Sequence, residues 1–189
     1  MTHKLLRTIR LDASDTFVFE HAAAPGEWAV SGTFMFWDRD LDALTGRDRQ
    51  AFRAGFLGLG SFGWSTLAVV VEATPEDRAT AVEALAAHLV EAHGAPDLDT
   101  ARAAALEEIA FAENLAQQPV QTLVGLNRSI NAEAEISEQF RTFHAADAKQ
   151  ATAMPCGAGA FAVVEDEAAA SDDHFDMAAM VACETAGKP

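Results

Sequence analysis

Six residues near the middle of the chain match a glycine-rich pattern that binds phosphate groups in many proteins. Residues 58–63, Gly-Leu-Gly-Ser-Phe-Gly, have the G-x-G-x-x-G spacing, in which glycines let backbone amides approach a phosphate closely. A dinucleotide-binding fold requires this loop after a strand and before a helix. Here the pattern indicates the opposite order, with a helix before the loop and a strand over 64–71 after it. We therefore interpret residues 58–63 as a helix-to-strand turn.

The protein-kinase version of this loop lies between two strands and is accompanied by other motifs. It requires a lysine on a following strand, a His-Arg-Asp loop and an Asp-Phe-Gly motif. The chain has its lysines at Lys4, Lys149 and Lys188, and neither motif occurs in the sequence. The glycine pattern therefore does not indicate a kinase.

Residue types that catalyse reactions or bind metals do not converge in the sequence. His88 and His93 are five positions apart, about 140° around a helix, so we expect no shared metal between them. Cys156 has no basic neighbour that would lower the pKa of its thiol. The acid pair Glu107 and Glu108 is expected on a solvated helix face. The sequence therefore predicts no catalytic residue, metal or cofactor, and it favours a protein that is not an enzyme.

The charge and composition argue against two classes of partner. The formal net charge is -16, and lysines and arginines do not cluster, whereas nucleic acids and anionic membranes are bound by such clusters. No segment approaches the roughly 20 apolar residues that cross a bilayer, and the first residues lack the apolar core of a signal peptide. We therefore expect a cytoplasmic protein without nucleic-acid or membrane partners, in which Cys156 and Cys183 remain free thiols.

Hydrophobic patterning predicts strands towards both ends of the chain and helices between them. The predicted strands are 4–11, 16–20, 28–37, 64–73, 121–130 and 135–143, the last of which is alternatively helical. The predicted helices run from Thr45 through Phe52, Phe56 and Leu59, from Pro75 to Gly94, and over 98–117. This order predicts an α+β fold, with an antiparallel or mixed sheet of about five to six strands covered by about three helices.

The composition changes near residue 145, which divides the chain into two parts. Residues 1–144 are predicted to form the α+β globular domain, and residues 145–189 a partly flexible, acidic, alanine-rich tail with short apolar segments. In this tail, residues 160–164 are candidates for an edge strand. Residues 175–182 are candidates for a short helix capped by Ser171 or Asp172.

Two sets of apolar residues are candidates for binding. The first set lies in the tail, where we expect a short apolar segment to dock onto a partner protein; its residues are Phe175, Met177, Met180 and Val181. Packing of these residues on their own domain is the alternative. The second set is Trp28, Trp37 and Trp64, which are candidates for lining an apolar ligand pocket or an interface, with ordinary core packing as the alternative.

Several segments resemble an uncharacterised bacterial family that is described only as a domain of unknown function. The resemblance is carried by residues 4–11, 15–20, 25–32 and 34–38 and continues from residues 63–67 to about residue 143. Because no chemistry is assigned to these motifs, the resemblance implies no functional residue. It implies a gene neighbourhood that contains accessory genes of a molybdenum-dependent, formate dehydrogenase-like system.

The sequence therefore leads to two hypotheses about function. The first is a non-catalytic cytoplasmic accessory protein that binds a protein partner and supports assembly or operation of a redox system resembling a molybdenum enzyme. The alternative is a small-molecule-binding protein or enzyme that holds an apolar ligand near the tryptophans. A homodimer formed through sheet edges is compatible with either hypothesis.

Overall fold

The computed structural model describes residues 3–131, 135–145 and 161–162. Seven strands in this part form an antiparallel sheet, and a two-residue eighth strand pairs with the end of the seventh. The strands are β1 (His3–Ile9), β2 (Trp28–Val30), β3 (Phe56–Gly58), β4 (Trp64–Ser65), β5 (Leu67–Ala73), β6 (Leu123–Ile130), β7 (Ile136–Ala145) and β8 (Phe161–Ala162). Their spatial order is β4-β3-β2-β1-β5-β6-β7-β8. The predicted α+β class is confirmed, and the sheet is antiparallel rather than mixed.

Four α-helices and one short 3-10 helix accompany the sheet in the described part of the chain. They are α1 (Ser14–Val18), η1 (the 3-10 helix, Thr33–Phe36), α2 (Gly46–Ala54), α3 (Pro75–His93) and α4 (Leu98–Leu115). The predictions for α3 and α4 are confirmed, because both helices have strong local signals. Thr74 and Asp77 form a reciprocal capping box at the start of α3, and Gly94 ends it with a φ of 69°.

The strand predicted over 16–20 is wrong, because this region forms α1 and the connection after it. The Asp15 carboxylate is 5% exposed and accepts a hydrogen bond of 2.6 Å from the Thr66 hydroxyl. The Ser65 hydroxyl also donates to Asp15, over 3.4 Å. Burial of a charged carboxylate is favourable only with such partners, so these contacts hold the segment as a helical turn. Sequence patterning does not detect a contact between residues so far apart.

The strand predicted over 28–37 is correct only up to Val30. Gly32 has a φ of 74°, a left-handed conformation that glycine adopts without steric cost. The chain therefore leaves the sheet and enters η1. The helix predicted to include Phe56 and Leu59 is also wrong beyond Ala54, because Phe56 begins β3. This extra strand is one reason why the sheet has more strands than expected.

The second half of the chain follows the predictions more closely. β6 and β7 form the predicted hairpin, paired from Leu123 with Phe143 to Ile130 with Ile136, so the alternative helix is wrong. β8 lies within the edge strand predicted over 160–164. The helix predicted over 175–182 lies outside the described residues.

The sheet is strongly coiled, which brings two distant strands together. In the spatial order, β3 and β7 are five steps apart, which in a flat sheet corresponds to about 24 Å. However, the rings of Phe56 on β3 and Phe140 on β7 have their centroids 6.4 Å apart. Right-handed twist accumulated over several strands produces such coiling. The coil encloses a core cluster that includes Leu6, Val70 and Leu126.

A second core cluster joins the sheet to the two long helices. It contains Leu5 of β1 together with the buried residues of α3 and α4. Leu5 and Leu6 are consecutive and belong to different clusters. Because consecutive strand residues point to opposite faces, the centre of the sheet is buried on both sides. The buried residues of α4 recur every three or four positions along one face of the helix; they are Ala101, Ala105, Ile109 and Ala112.

Candidate functional site

One arginine side chain connects three elements in the interior of the protein. Arg128 lies on β6 and is 1% exposed. Its Nη1 atom donates hydrogen bonds to the carbonyl oxygens of Phe52 and Gly55, each over 2.9 Å. Its Nη2 atom donates to the carbonyl oxygen of Ser31. Carbonyl groups at the end of a helix lack intrahelical partners, so Arg128 caps the carboxyl end of α2 and also holds the segment that precedes η1.

The same guanidinium forms an ion pair across the β6–β7 hairpin. The Nε atom of Arg128 donates to Glu138 Oε1 over 2.8 Å and to Thr33 Oγ1 over 2.9 Å. The Thr33 hydroxyl in turn donates to Glu138. Burial lowers the pKa of the Arg128 guanidinium, and the Glu138 carboxylate opposes that shift. We use the name Arg128 network for Arg128, Glu138, Thr33 and the carbonyl oxygens of Phe52, Gly55 and Ser31. In this network the buried positive charge of Arg128 is paired with the negative charge of Glu138.

A second carboxyl group, Glu108 on α4, lies within electrostatic range of this network. Burial raises the pKa of Glu108 to about 7, with a further contribution from the Glu138 charge, while Arg128 opposes the rise. Glu108 Oε2 is buried and has no hydrogen-bond partner among the described residues. The expectation of a solvated acid pair is therefore wrong for Glu108, although its neighbour Glu107 is exposed.

An open cleft of about 530 Å³ lies beside the Arg128 network. It is bounded on one side by η1 and the following loop, and on the other by the turn ends of β6 and β7. Its lining residues are Thr33, Phe36, Trp37, Arg39, Asp40, Leu41, Asp42, Ile130 and Ile136. We call it the Trp37 cleft, because Trp37 is 71% exposed at its mouth. Thr33 belongs to both the cleft and the network, so the network fixes one wall of the cleft.

The three tryptophans predicted to line a pocket are not brought together in one site. Trp28 is half-buried beneath the Arg7 guanidinium, which lies 3.8 Å from the centre of its ring. Trp64 is half-buried and stacks on Phe36 at a centroid distance of 5.2 Å. Trp37 lines the open cleft described above. The predicted docking residues Phe175, Met177, Met180 and Val181 lie outside the described residues.

Trp64 lines a smaller cleft of about 300 Å³. This Trp64 cleft contains several polar groups around one aromatic ring. Its lining residues are Glu20, His21, Arg47, Asp48, Ala51 and Trp64. The Arg47 and Asp48 side chains come from the first turn of α2, and His21 lies near the glycine-rich loop through its Nε2 contact of 3.2 Å with the Ser61 carbonyl oxygen.

The glycine-rich loop binds a carboxylate of its own chain. It connects β3 to β4, so the interpretation as a helix-to-strand turn is wrong and the loop is a strand-to-strand turn. The backbone amides of Gly60 and Ser61 donate to Glu27 Oε2, each over 2.8 Å. The Ala24 amide donates to Glu27 Oε1 over 2.8 Å. Burial acts to raise the pKa of Glu27, but the hydrogen bonds from Ser61, Ala24 and Gly60 outweigh it and lower that pKa. The Gly60 and Ser61 amides are therefore already paired with a carboxylate of the same chain.

The two histidines of α3 lie closer together than their helical spacing suggests. Their ring centroids are 5.2 Å apart, because His88 stacks on Phe62 at 3.6 Å and His93 packs against Phe34 at 5.4 Å. Burial lowers the pKa of His88, and the nearby His93 adds to that shift. Within the described ranges, no group of three or more histidine, cysteine, aspartate or glutamate side chains is placed to hold a metal ion.

The site depends on Arg128 and Glu138, and neither residue is among those predicted from the sequence. The hairpin register places them directly opposite each other, and opposite charges in such pairs are favourable. Arg128 also follows Val124 and Leu126 at every second position, where an apolar residue is expected on a buried face. A charge in an apolar stripe, opposite a complementary charge, is a signal that could have identified this pair.

Comparison with known proteins identifies the family but no function. The chain belongs to a family of unknown function (DUF6505), whose model matches residues 1–158. The resemblance to an uncharacterised domain is thereby confirmed, and the match extends past the boundary predicted at residue 144. No curated protein and no solved structure matches the chain. In the part of the chain that the structure describes, no helix is both long and apolar enough to cross a membrane.

Substitution of Glu108 should reveal its elevated pKa. The pKa of Glu108 is 4.5 in the unfolded chain and about 7 in the folded protein. Between pH 4.5 and 7 the carboxyl group is therefore protonated in the folded state and ionised in the unfolded state. Stability therefore falls as the pH rises from 4.5 to 7 and stays low above it. Glu108→Gln removes this ionisation and should stabilise the protein by about 3 kcal/mol at pH 8, and by less than about 1 kcal/mol at pH 5. Urea unfolding at both pH values measures the change.

Glu107→Gln is the matched control for this experiment, because Glu107 is the exposed neighbour of Glu108 on the same helix. It should change the pH dependence of unfolding much less than Glu108→Gln does, because the Glu107 charge makes only the smallest of the contributions to the pKa of Glu108. Equal pH profiles for wild type, Glu107→Gln and Glu108→Gln would show that Glu108 ionises normally in the folded protein.

Proposed function

We propose that this protein is a non-catalytic accessory protein that binds another protein through the Trp37 cleft. The observation that carries the proposal is the position of Trp37, which is 71% exposed at the mouth of an open cleft of about 530 Å³. Removal of a large aromatic side chain from water lowers the free energy. Leaving it exposed on a structured surface favours an interface that forms with a partner.

The chemistry of the cleft favours a protein partner over a small ligand. Its floor is apolar, since Phe36 and Ile136 lie there, and its rim carries the charged residues Arg39, Asp40 and Asp42. An apolar centre with a polar rim is the usual anatomy of a protein–protein interface. Small-molecule sites instead enclose most of the surface of their ligand, whereas this cleft is open.

The walls of the cleft are held in place before any partner binds. Thr33 is tied to Arg128 over 2.9 Å, and Phe36 packs edge-to-face on Phe52 at a centroid distance of 5.3 Å. Binding to such a surface does not require the loss of backbone entropy that a flexible surface would incur. Trp37 directly follows this anchored segment, which suits it to be the central contact of an interface.

The system that the protein would serve follows from the sequence resemblance. We propose that the partner belongs to a cytoplasmic redox system resembling a molybdenum enzyme, and that the protein supports its assembly or operation. The absence of convergent catalytic groups around the Trp37 cleft, among the described residues, motivates the non-catalytic part of this proposal.

Trp37→Ala should weaken capture of the partner strongly. Central tryptophans contribute about 2 kcal/mol or more to an interface, which corresponds to roughly a thirtyfold loss of affinity. The measurement is affinity capture from host lysate with the full chain as bait, followed by quantification of each retained protein.

Phe17→Ala is the matched control, because Phe17 is 73% exposed but lies on α1 and does not line the cleft. Partners retained by Phe17→Ala and lost with Trp37→Ala would support the proposal. A partner set that is unchanged by Trp37→Ala would exclude the Trp37 cleft as the binding surface.

The Trp64 cleft supports the second candidate function, binding of a small molecule. One aromatic ring and four charged or titratable side chains converge in a volume of about 300 Å³, which is the general composition of a small-ligand site. If a metabolite binds here, titration should change tryptophan fluorescence in the wild type, and Trp64→Phe should abolish the change. A flat response across acyl, aromatic and nucleotide ligands would contradict this candidate.

A further inference from the structure

We propose that the occupant of the Trp37 cleft is a partner segment in which basic and apolar side chains alternate. This inference rests on the proposed function and adds the chemistry of the partner. It follows from the charge of the rim, the composition of the floor and the dimensions of the cleft.

The rim of the cleft carries uncompensated negative charge. Asp40 and Asp42 are exposed lining residues, and neither forms an ion pair with a described residue. Asp40 Oδ1 accepts the backbone amide of Asp42 over 3.2 Å, which fixes the carboxylate at the rim without neutralising it. Arg39 lines the same rim, but its Nη1 atom pairs with Asp48 Oδ2 over 3.5 Å. A partner with positive charge is therefore complementary to this surface.

The floor and the mouth of the cleft fit apolar and cationic side chains respectively. Ile130, Ile136 and Leu41 give apolar contact surface. The Trp37 ring meets Phe34 edge-to-face, with centroids 6.5 Å apart, and its exposed surface faces solvent. Tryptophan is the best aromatic partner for a lysine or arginine cation. An apolar side chain on the floor and a cation between the ring and the aspartates would use both features.

The size of the cleft restricts the occupant to a short segment. A volume of about 530 Å³ holds a few side chains and not a folded domain. In an extended segment, alternate side chains point in opposite directions, so apolar residues can enter the cleft while basic residues reach the rim. The occupant is therefore a short peptide segment rather than a broad flat surface.

The test uses fluorescein-labelled hexapeptides and the full chain. The probe is Lys-Leu-Lys-Leu-Lys-Leu, with Glu-Leu-Glu-Leu-Glu-Leu and Ser-Leu-Ser-Leu-Ser-Leu as controls, and binding is measured by fluorescence anisotropy. We expect the lysine peptide to bind the wild type most tightly. Trp37→Ala should weaken this binding, and the affinity should fall as salt is added, because the rim charges are exposed.

Two double variants separate the rim charges from the overall charge of the protein. Asp40→Asn with Asp42→Asn should weaken binding of the lysine peptide about fivefold, as expected for two exposed charge contacts. Glu91→Gln with Glu107→Gln removes the same charge from exposed helix positions outside the cleft and should leave the affinity within about twofold of wild type.

Three results would overturn the inference. The first is an equal loss of affinity in both double variants, and the second is equal or tighter binding of the glutamate peptide. The third is self-association in sedimentation velocity that Trp37→Ala abolishes, because the occupant would then be a second copy of this chain. Failure of the proposed function is distinct: Trp37→Ala would then leave capture of the partner unchanged, whatever the peptides do.

Discussion

The buried guanidinium of Arg128 is the interaction on which the arrangement of this protein depends. A charge removed from water is stable only when its donors are all satisfied, and here the acceptors come from separate parts of the chain. The end of α2, the segment before η1 and the neighbouring strand β7 each supply at least one oxygen atom. Formation of the network therefore requires the sheet to coil until these elements meet. The same coiling brings the ring centroids of Phe56 and Phe140 to 6.4 Å from each other.

The Trp37 cleft is a consequence of this coiling of the sheet. One wall is η1 with the loop after it, and the other is the turn end of the β6–β7 hairpin; neither wall contacts the other through regular sheet pairing. Thr33 bonds to both Arg128 and Glu138, which joins the walls at the base and leaves the mouth open. Glu108 adds a carboxyl group with a pKa of about 7 near this base, so the stability of the protein falls as the pH rises from 4.5 to about 7.

The sequence predicts those elements that depend on local signals. The start signal at Pro75, the stop signal at Gly94 and the helical pattern over 98–117 were sufficient for both long helices. The weak alternation of residues 135–143 left the second strand of the hairpin open between strand and helix. The first 63 residues were predicted less well, because the conformation of Gly32 and the contact of Asp15 with Thr66 arise from tertiary structure. Trp37 was recognised as a candidate by its residue type. The lining residues of the cleft are up to 103 positions apart in the chain, and a single sequence does not show that such distant residues lie close together in the fold.

We propose that the Trp37 cleft, held by the Arg128 network, is the surface through which this protein binds its partner. Hydrogen–deuterium exchange of the full chain with and without saturating Lys-Leu-Lys-Leu-Lys-Leu peptide tests it most directly. We expect slower exchange in η1, in residues 37–42 and at the turn ends of β6 and β7, with no change on the outer surfaces of α3 and α4. Protection confined to those helices, or to the Trp64 cleft, would contradict it.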